Sequence, residues 1–247
     1  MLAAGAGRKK RADSGHASEL KQIMSAPANN EETTVRVPAG SVLLEGDLVI
    51  PSQAAAVVLF AHGSGSSRHS SRNRFVAAAL REANVGTFLF DLLSADEERI
   101  DNQTAHLRFD IALLAERLVC AVDWIRSSAG AGVLPVGLYG ASTGAAAALQ
   151  AAAQRPTTVA AVVSRGGRPD LAGPAALARV AAPTLLIVGG KDRQVLELNR
   201  QAMTQMRCEK KLEIVPGATH LFEEPGALEE VARLARDWFE TKIKATY

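Results

Sequence analysis

Five stretches of the chain are apolar without alternation: A-A-V-V-L-F-A (55–61), T-F-L-F (87–90), L-P-V-G-L-Y (134–139), V-A-A-V-V (159–163) and T-L-L-I-V (184–188). A strand with no polar face is buried on both sides, as parallel strands are when helices cover the sheet. L-E-I-V (212–215) is a shorter final strand. T-T-V-R-V (33–37) alternates instead, and Pro38-Ala39-Gly40 supplies a turn into V-L-L-E-G-D-L-V-I (42–50), so these two predict an antiparallel pair ahead of the parallel run. The gaps hold helical periodicity at 73–83, 108–126, 145–153, 196–206 and 228–239. In 145–153, A-A-A-A-L-Q-A-A-A, the small side chains predict a helix packed closely on the sheet. Strand–helix–strand repetition predicts an α/β fold, a mostly parallel twisted sheet with helices on both faces. No repeat or linker divides 34–247, which reads as one domain behind a flexible tail at 1–33.

Composition narrows the classes. The 247 residues are 47% hydrophobic and 22% charged, an ordinary globular balance able to bury a core without staples. Cys120 and Cys208 are the two cysteines, so neither a disulfide framework nor a cysteine zinc site is expected. The longest wholly apolar run is the eight residues Ala54 to Ala61, far short of a membrane span. The net charge of +2 divides unevenly: residues 1–23 hold five bases against two acids, leaving 23 bases against 24 acids beyond them. The body therefore carries no excess that favours nucleic acid. The basic cluster R-K-K-R is followed by polar sequence rather than an apolar core, so no secretory signal is expected and the cytoplasm is the predicted compartment. Met24 opens M-S-A-P, and translation is expected to be able to start there.

The chemistry concentrates at P-V-G-L-Y-G-A-S-T-G (135–144). Ser142 stands in G-x-S-x-G between a buried strand and the alanine-rich helix, the context of a nucleophile elbow. The turn is tight, so Gly140 and Gly144 keep its flanks small, and the helix start adds positive potential near a developing oxyanion. A serine hydroxyl needs a base. Of the five histidines only His220, in A-T-H-L-F, follows the serine. Between them Asp192, in V-G-G-K-D just past a buried strand, is the preferred carboxylate, and Asp170, in R-G-G-R-P-D, is its rival. Two amides must meet the oxyanion: that of Thr143, after the nucleophile, and that of Ser64 in H-G-S-G-S-S (62–67), with Gly65 as the neighbouring alternative.

A-H-G-S-G, G-A-S-T-G, G-G-K-D and A-T-H, in this order, resemble the α/β-hydrolase fold and, within it, the small dienelactone-hydrolase-like group, over about 35–243. The resemblance implies nucleophile Ser142, acid Asp192, base His220 and oxyanion amides from Ser64 and Thr143. True dienelactone hydrolases carry a cysteine nucleophile, and a serine in its place points to a general ester hydrolase.

The expected activity is two-step hydrolysis of small carboxylic esters, with no cofactor and no metal; thioester or lactone hydrolysis is the alternative, and a non-catalytic binding protein on the same fold is a second class. H-E-x-x-H and Walker A are both missing, and Gly190-Lys191 is followed by Asp192. The 20 residues of 164–183 have room for a loop and a short helix but no cap domain. Arg165 and Arg168, and the group Arg68, His69, Arg72 and Arg74, either recognise a carboxylate or phosphate on the substrate or pair with local acids. His62, Arg68 and Arg165 are the candidate substrate contacts.

Overall fold

The computed structural model describes residues 31–128 and 131–244. The expected tail and the start at Met24 fall almost wholly outside these residues; among the described residues the first element is strand β1 (Thr33–Ala39), one residue inside the tail's expected end. Then come β2 (Val42–Val49), β3 (Ala56–Ala61), helix α1 (Ser71–Glu82), β4 (Val85–Phe90), α2 (Ala95–Thr104), a 3-10 turn at Leu107–Phe109, and α3 (Ile111–Ser127). The second half holds β5 (Val136–Ala141), α4 (Thr143–Gln154), β6 (Val159–Arg165), a 3-10 turn at Pro169–Ala172, the single turn α5 (Pro174–Leu177), β7 (Thr184–Gly189), α6 (Arg193–Gln205), β8 (Lys210–Val215) and α7 (Ala227–Lys244).

All eight strands form one sheet in the order β1-β2-β4-β3-β5-β6-β7-β8. β1 and β2 pair antiparallel, and β2 meets β4 antiparallel. Every pairing from β4 to β8 is parallel, with Phe60 opposite Tyr139 and Ser164 opposite Leu186. β3, β4, β5 and β7 are buried along their whole length, the physical counterpart of their unbroken apolar runs. On one face the core contains residues of α3, α4 and α6, among them Leu118, Ala148 and Ala202. On the other it contains residues of α1 and α7, among them Val76, Leu80, Ala235 and Phe239. The sheet is thus covered on both sides, and the parallel strands all deliver their C-terminal ends to one rim, where such sheets bind ligands.

α2 is the helix that periodicity does not reveal, because its ten residues carry a single large apolar side chain, Ile100. Its start is nevertheless encoded: Ser94 accepts from the Glu97 amide while the Glu97 carboxylate accepts from the Ser94 amide. Between β6 and β7 lie only two short helical turns, too little chain for a cap domain at that position.

Candidate active site

The β5–α4 junction places Ser142 at φ +52° and ψ −120°, a conformation that strains any residue with a side chain. Hydrogen bonds hold that strain in place. The Ser142 amide donates to Arg165 O at 3.2 Å, and Ser142 O accepts from the amides of Ala145 and Arg168, each at 3.1 Å. The flanking glycines are needed for contact. A Cβ on Gly140 would lie 2.4 Å from Ala145 Cα, and one on Gly144 would lie 2.2 Å from Ala61 O. A Cβ on Gly63 would lie 3.0 Å from Ser142 Cβ, so the bare backbone after β3 can lie against the serine.

His220 is carried by the loop after β8, and Asp192 by the turn after β7. Gly189 lets that loop cross β7, since a Cβ there would sit 2.5 Å from both Ala218 O and Thr219 O. The Lys191 amide then donates to Ala218 O, and the Asp192 amide to Gly189 O. His220 Nδ1 and Asp192 Oδ2 are 2.7 Å apart. That bond engages one ring nitrogen and leaves Nε2 as the other. Ser142 and His220 line the same cavity of about 270 Å³, and no hydrogen bond joins them among the described residues. Asp170, the rival acid, is instead held in a two-bond pair by Arg168 at 2.9 and 2.7 Å.

The loop after β3 differs in detail from expectation. The Ser64 amide donates to Thr143 Oγ1 at 2.9 Å, so this donor is already engaged within the protein. His62, expected to touch substrate, is absent from the lining of the cavity that holds Ser142; it supports the loop and lines a neighbouring, narrower cavity. Its Nε2 accepts from the Leu92 amide at 3.2 Å, which places the ring hydrogen on Nδ1, 3.0 Å from Gly63 O. Desolvation of the ring lowers its pKa below the ordinary histidine value, which keeps it in that neutral form.

Arg68, also expected to touch substrate, does not line the cavity. Three carboxylates draw it away: Asp91, Glu45 at 3.0 Å and Asp47 at 3.7 Å. Arg74 is similarly held by Glu32 and Asp47. Arg165 and Arg72 do line the cavity. Asn73 and Ser70, which the sequence reading passed over, join them there; the signal that would have found them is the helix start S-S-R-N, with Ser70 as the cap. A second, narrower cavity of about 70 Å³ shares Gly63, Ser64 and Ser66 with the first and reaches Arg108 and Asp101 beneath α2. Among the described residues no cluster of histidine, cysteine and acid side chains could hold a metal ion, and no helix is long and apolar enough to cross a membrane.

Residues 54–235 match the family model described as an alpha/beta hydrolase domain. The chain therefore belongs to the α/β-hydrolase family. Within that family it is dienelactone-hydrolase-like: it is 58% identical to a dienelactone hydrolase of Anabaena variabilis whose crystal structure superposes with a TM-score of 0.84, over 86% of this chain and 98% of that one. Est1E of Butyrivibrio proteoclasticus, 16% identical with a TM-score of 0.72 over 85% of this chain and 99% of its own, shares the fold. A Mycobacterium tuberculosis protein named "Putative phosphoribosyl transferase" is 53% identical over 227 residues, 92% of this chain but 50% of that protein. The chain thus spans about half the length of that curated relative.

Proposed function

We propose that the chain is a serine hydrolase that cleaves small carboxylic esters through an acyl-enzyme intermediate. The observation that carries this reading is Ser142, held strained at the strand–helix turn, sharing a cavity with a histidine whose Nδ1 is bonded to Asp192. His220 Nε2 takes the Ser142 proton as Oγ attacks the carbonyl carbon, and Asp192 stabilises the imidazolium. His220 then protonates the leaving alcohol, and water resolves the acyl-enzyme by the same route.

The amides of Thr143 and Ser64 receive the oxyanion. The Ser64–Thr143 bond bears on how they do so. A neutral carbonyl competes weakly with the Thr143 hydroxyl for the Ser64 amide, whereas an oxyanion forms the stronger charge-assisted bond and displaces it. The donor is then engaged most strongly where charge has developed, the condition for accelerating the chemical step. Replacement Ser142→Ala is expected to retain the fold and to lower p-nitrophenyl acetate turnover by on the order of 10⁴-fold or more. Turnover at the original rate by the purified variant would remove the assignment.

Lactone hydrolysis is the second reading, favoured by the 58% identity to a protein named a dienelactone hydrolase. A panel of open-chain esters, thioesters and lactones, with the serine variant as blank, separates these. The transferase name belongs to a protein of which this chain matches half, while the hydrolase model matches this chain itself.

A further inference from the structure

Arg165 stands at the end of β6 with 7% of its surface exposed, and it makes no ion pair among the described residues. Its contacts are with neutral groups: Nη2 lies 3.4 Å from Asn73 Oδ1, the guanidinium lies 5.9 Å from the centre of the Phe222 ring, and the buried Tyr139 hydroxyl is beside it. Its Nε is enclosed and has no acceptor among the described residues. A buried cation without a carboxylate is costly unless something else answers its charge. Arg72 reaches the same cavity from α1. Among the described residues its carboxylate partner is the exposed Glu223 at 3.3 Å, and its Nε too is enclosed without an acceptor there. The cavity wall holds both guanidinium groups and not one carboxylate.

α1 begins at this wall. Of its first amides, Asn73 donates to Ser70 Oγ and Arg74 to Ser70 O, which leaves those of Ser71 and Arg72 without a protein acceptor among the described residues. Ser66 and Ser70 also line the space beside Ser142.

We infer that this cavity binds a phosphomonoester group, so that the ester cleaved at Ser142 carries a phosphate on its acyl or alcohol part. This rests on reading Ser142 as the nucleophile; the anion site itself does not. Two cations match a dianion. Donors arriving from β6, from α1 and from the loop after β3 suit three tetrahedral oxygens, where a planar carboxylate offers two. A helix start is a natural seat for phosphate, and arginine forks suit its oxygens.

The test uses the full chain carrying Ser142→Ala, so that binding is read without turnover. Inorganic phosphate titrated by calorimetry is expected to bind saturably and at least about 10-fold more tightly than acetate. Adding Arg72→Gln or Arg165→Gln is expected to weaken it by roughly 10- to 100-fold, the worth of one lost charge-assisted bond. Arg72 is partly exposed on α1, so its variant still reports if the Arg165 variant fails to fold. In the parent chain, kcat/KM for 1-acetylglycerol 3-phosphate is expected to exceed that for 1-acetylglycerol by about 10-fold or more, with the ratio falling toward one in Arg72→Gln. No saturable phosphate binding, acetate binding as tight as phosphate, or an equal fall for both esters would overturn the inference. Phosphate binding with no turnover of any ester would keep the anion site and remove the hydrolase reading instead.

Discussion

The Gly63–Ser64 peptide is gripped from both ends. Gly63 O accepts from His62 Nδ1 at 3.0 Å and from the Ser66 amide at 3.2 Å, while the Ser64 amide donates to Thr143 Oγ1. His62 can hold this peptide only as a neutral ring, because Nε2 must accept from Leu92. Its pKa is lowered on folding, so below the ordinary value of 6.5 the unfolded chain takes up the proton first. Stability then rises with pH across the window from the lowered value up to 6.5. His62→Asn keeps a donor for Gly63 and loses both the Leu92 bond and the titration. It is expected to be about 1 kcal/mol less stable than the parent at pH 7.5, with the gap narrowing as the pH falls toward 5. Urea unfolding across that range checks this, and a gap independent of pH would contradict it. H-G at a strand end marked this loop in the sequence as a site element. That His62 supports the loop was not legible there, because its partner amide lies 30 residues on, at the end of another strand.

Among the elements, the β5–α4 junction does the most for the site. Buried alanines from Ala145 to Ala153 let α4 lie close to the sheet, and Gly144 lets its first turn meet the end of β3. Ala61 O and His62 O would both lie within 2.4 Å of a Cβ there, and both belong to backbone that carries the oxyanion loop. Gly144→Ala is therefore expected to destabilise by about 3 kcal/mol or more, since backbone cannot move aside as a side chain can. A thermal midpoint within a degree of the parent would contradict this. This junction was readable because strand, glycine and helix signals coincide over a few residues. α2 was not, since a polar helix has no apolar face to reveal it; its anchor is Asp101, which accepts from the Leu107 and Arg108 amides. Burial alone would raise the Asp101 pKa, but the hydrogen bonds from Arg108 and Leu107 hold it below the usual carboxylate range.

Across the whole molecule, the sheet gathers loops after β3, β5, β6, β7 and β8 at one rim, with only short helical turns between β6 and β7. The parallel order was legible because doubly buried strands announce themselves. Which of the arginines near the rim would face the cavity was not, because Arg68 and Arg165 differ only in the acids that tertiary folding brings to them. Asp91 and Glu45 reach Arg68, and among the described residues no acid pairs with Arg165. Under the proposed ester hydrolysis, a cavity of about 270 Å³ has room for a short acyl group and not for a long one. Hydrolysis of p-nitrophenyl esters is accordingly expected to peak at acetyl or propionyl and to fall by roughly 10-fold by octanoyl. A rise with chain length would contradict this.

All of the proposed chemistry depends on Ser142 being a reactive alcohol. Treatment with a fluorophosphonate, followed by intact-mass and peptide analysis, reads that reactivity directly and needs no knowledge of the substrate. The account predicts one adduct per chain, on Ser142, lost in Ser142→Ala and strongly slowed in His220→Ala. A folded parent chain that stays unlabelled, or that labels equally well without His220, would contradict it.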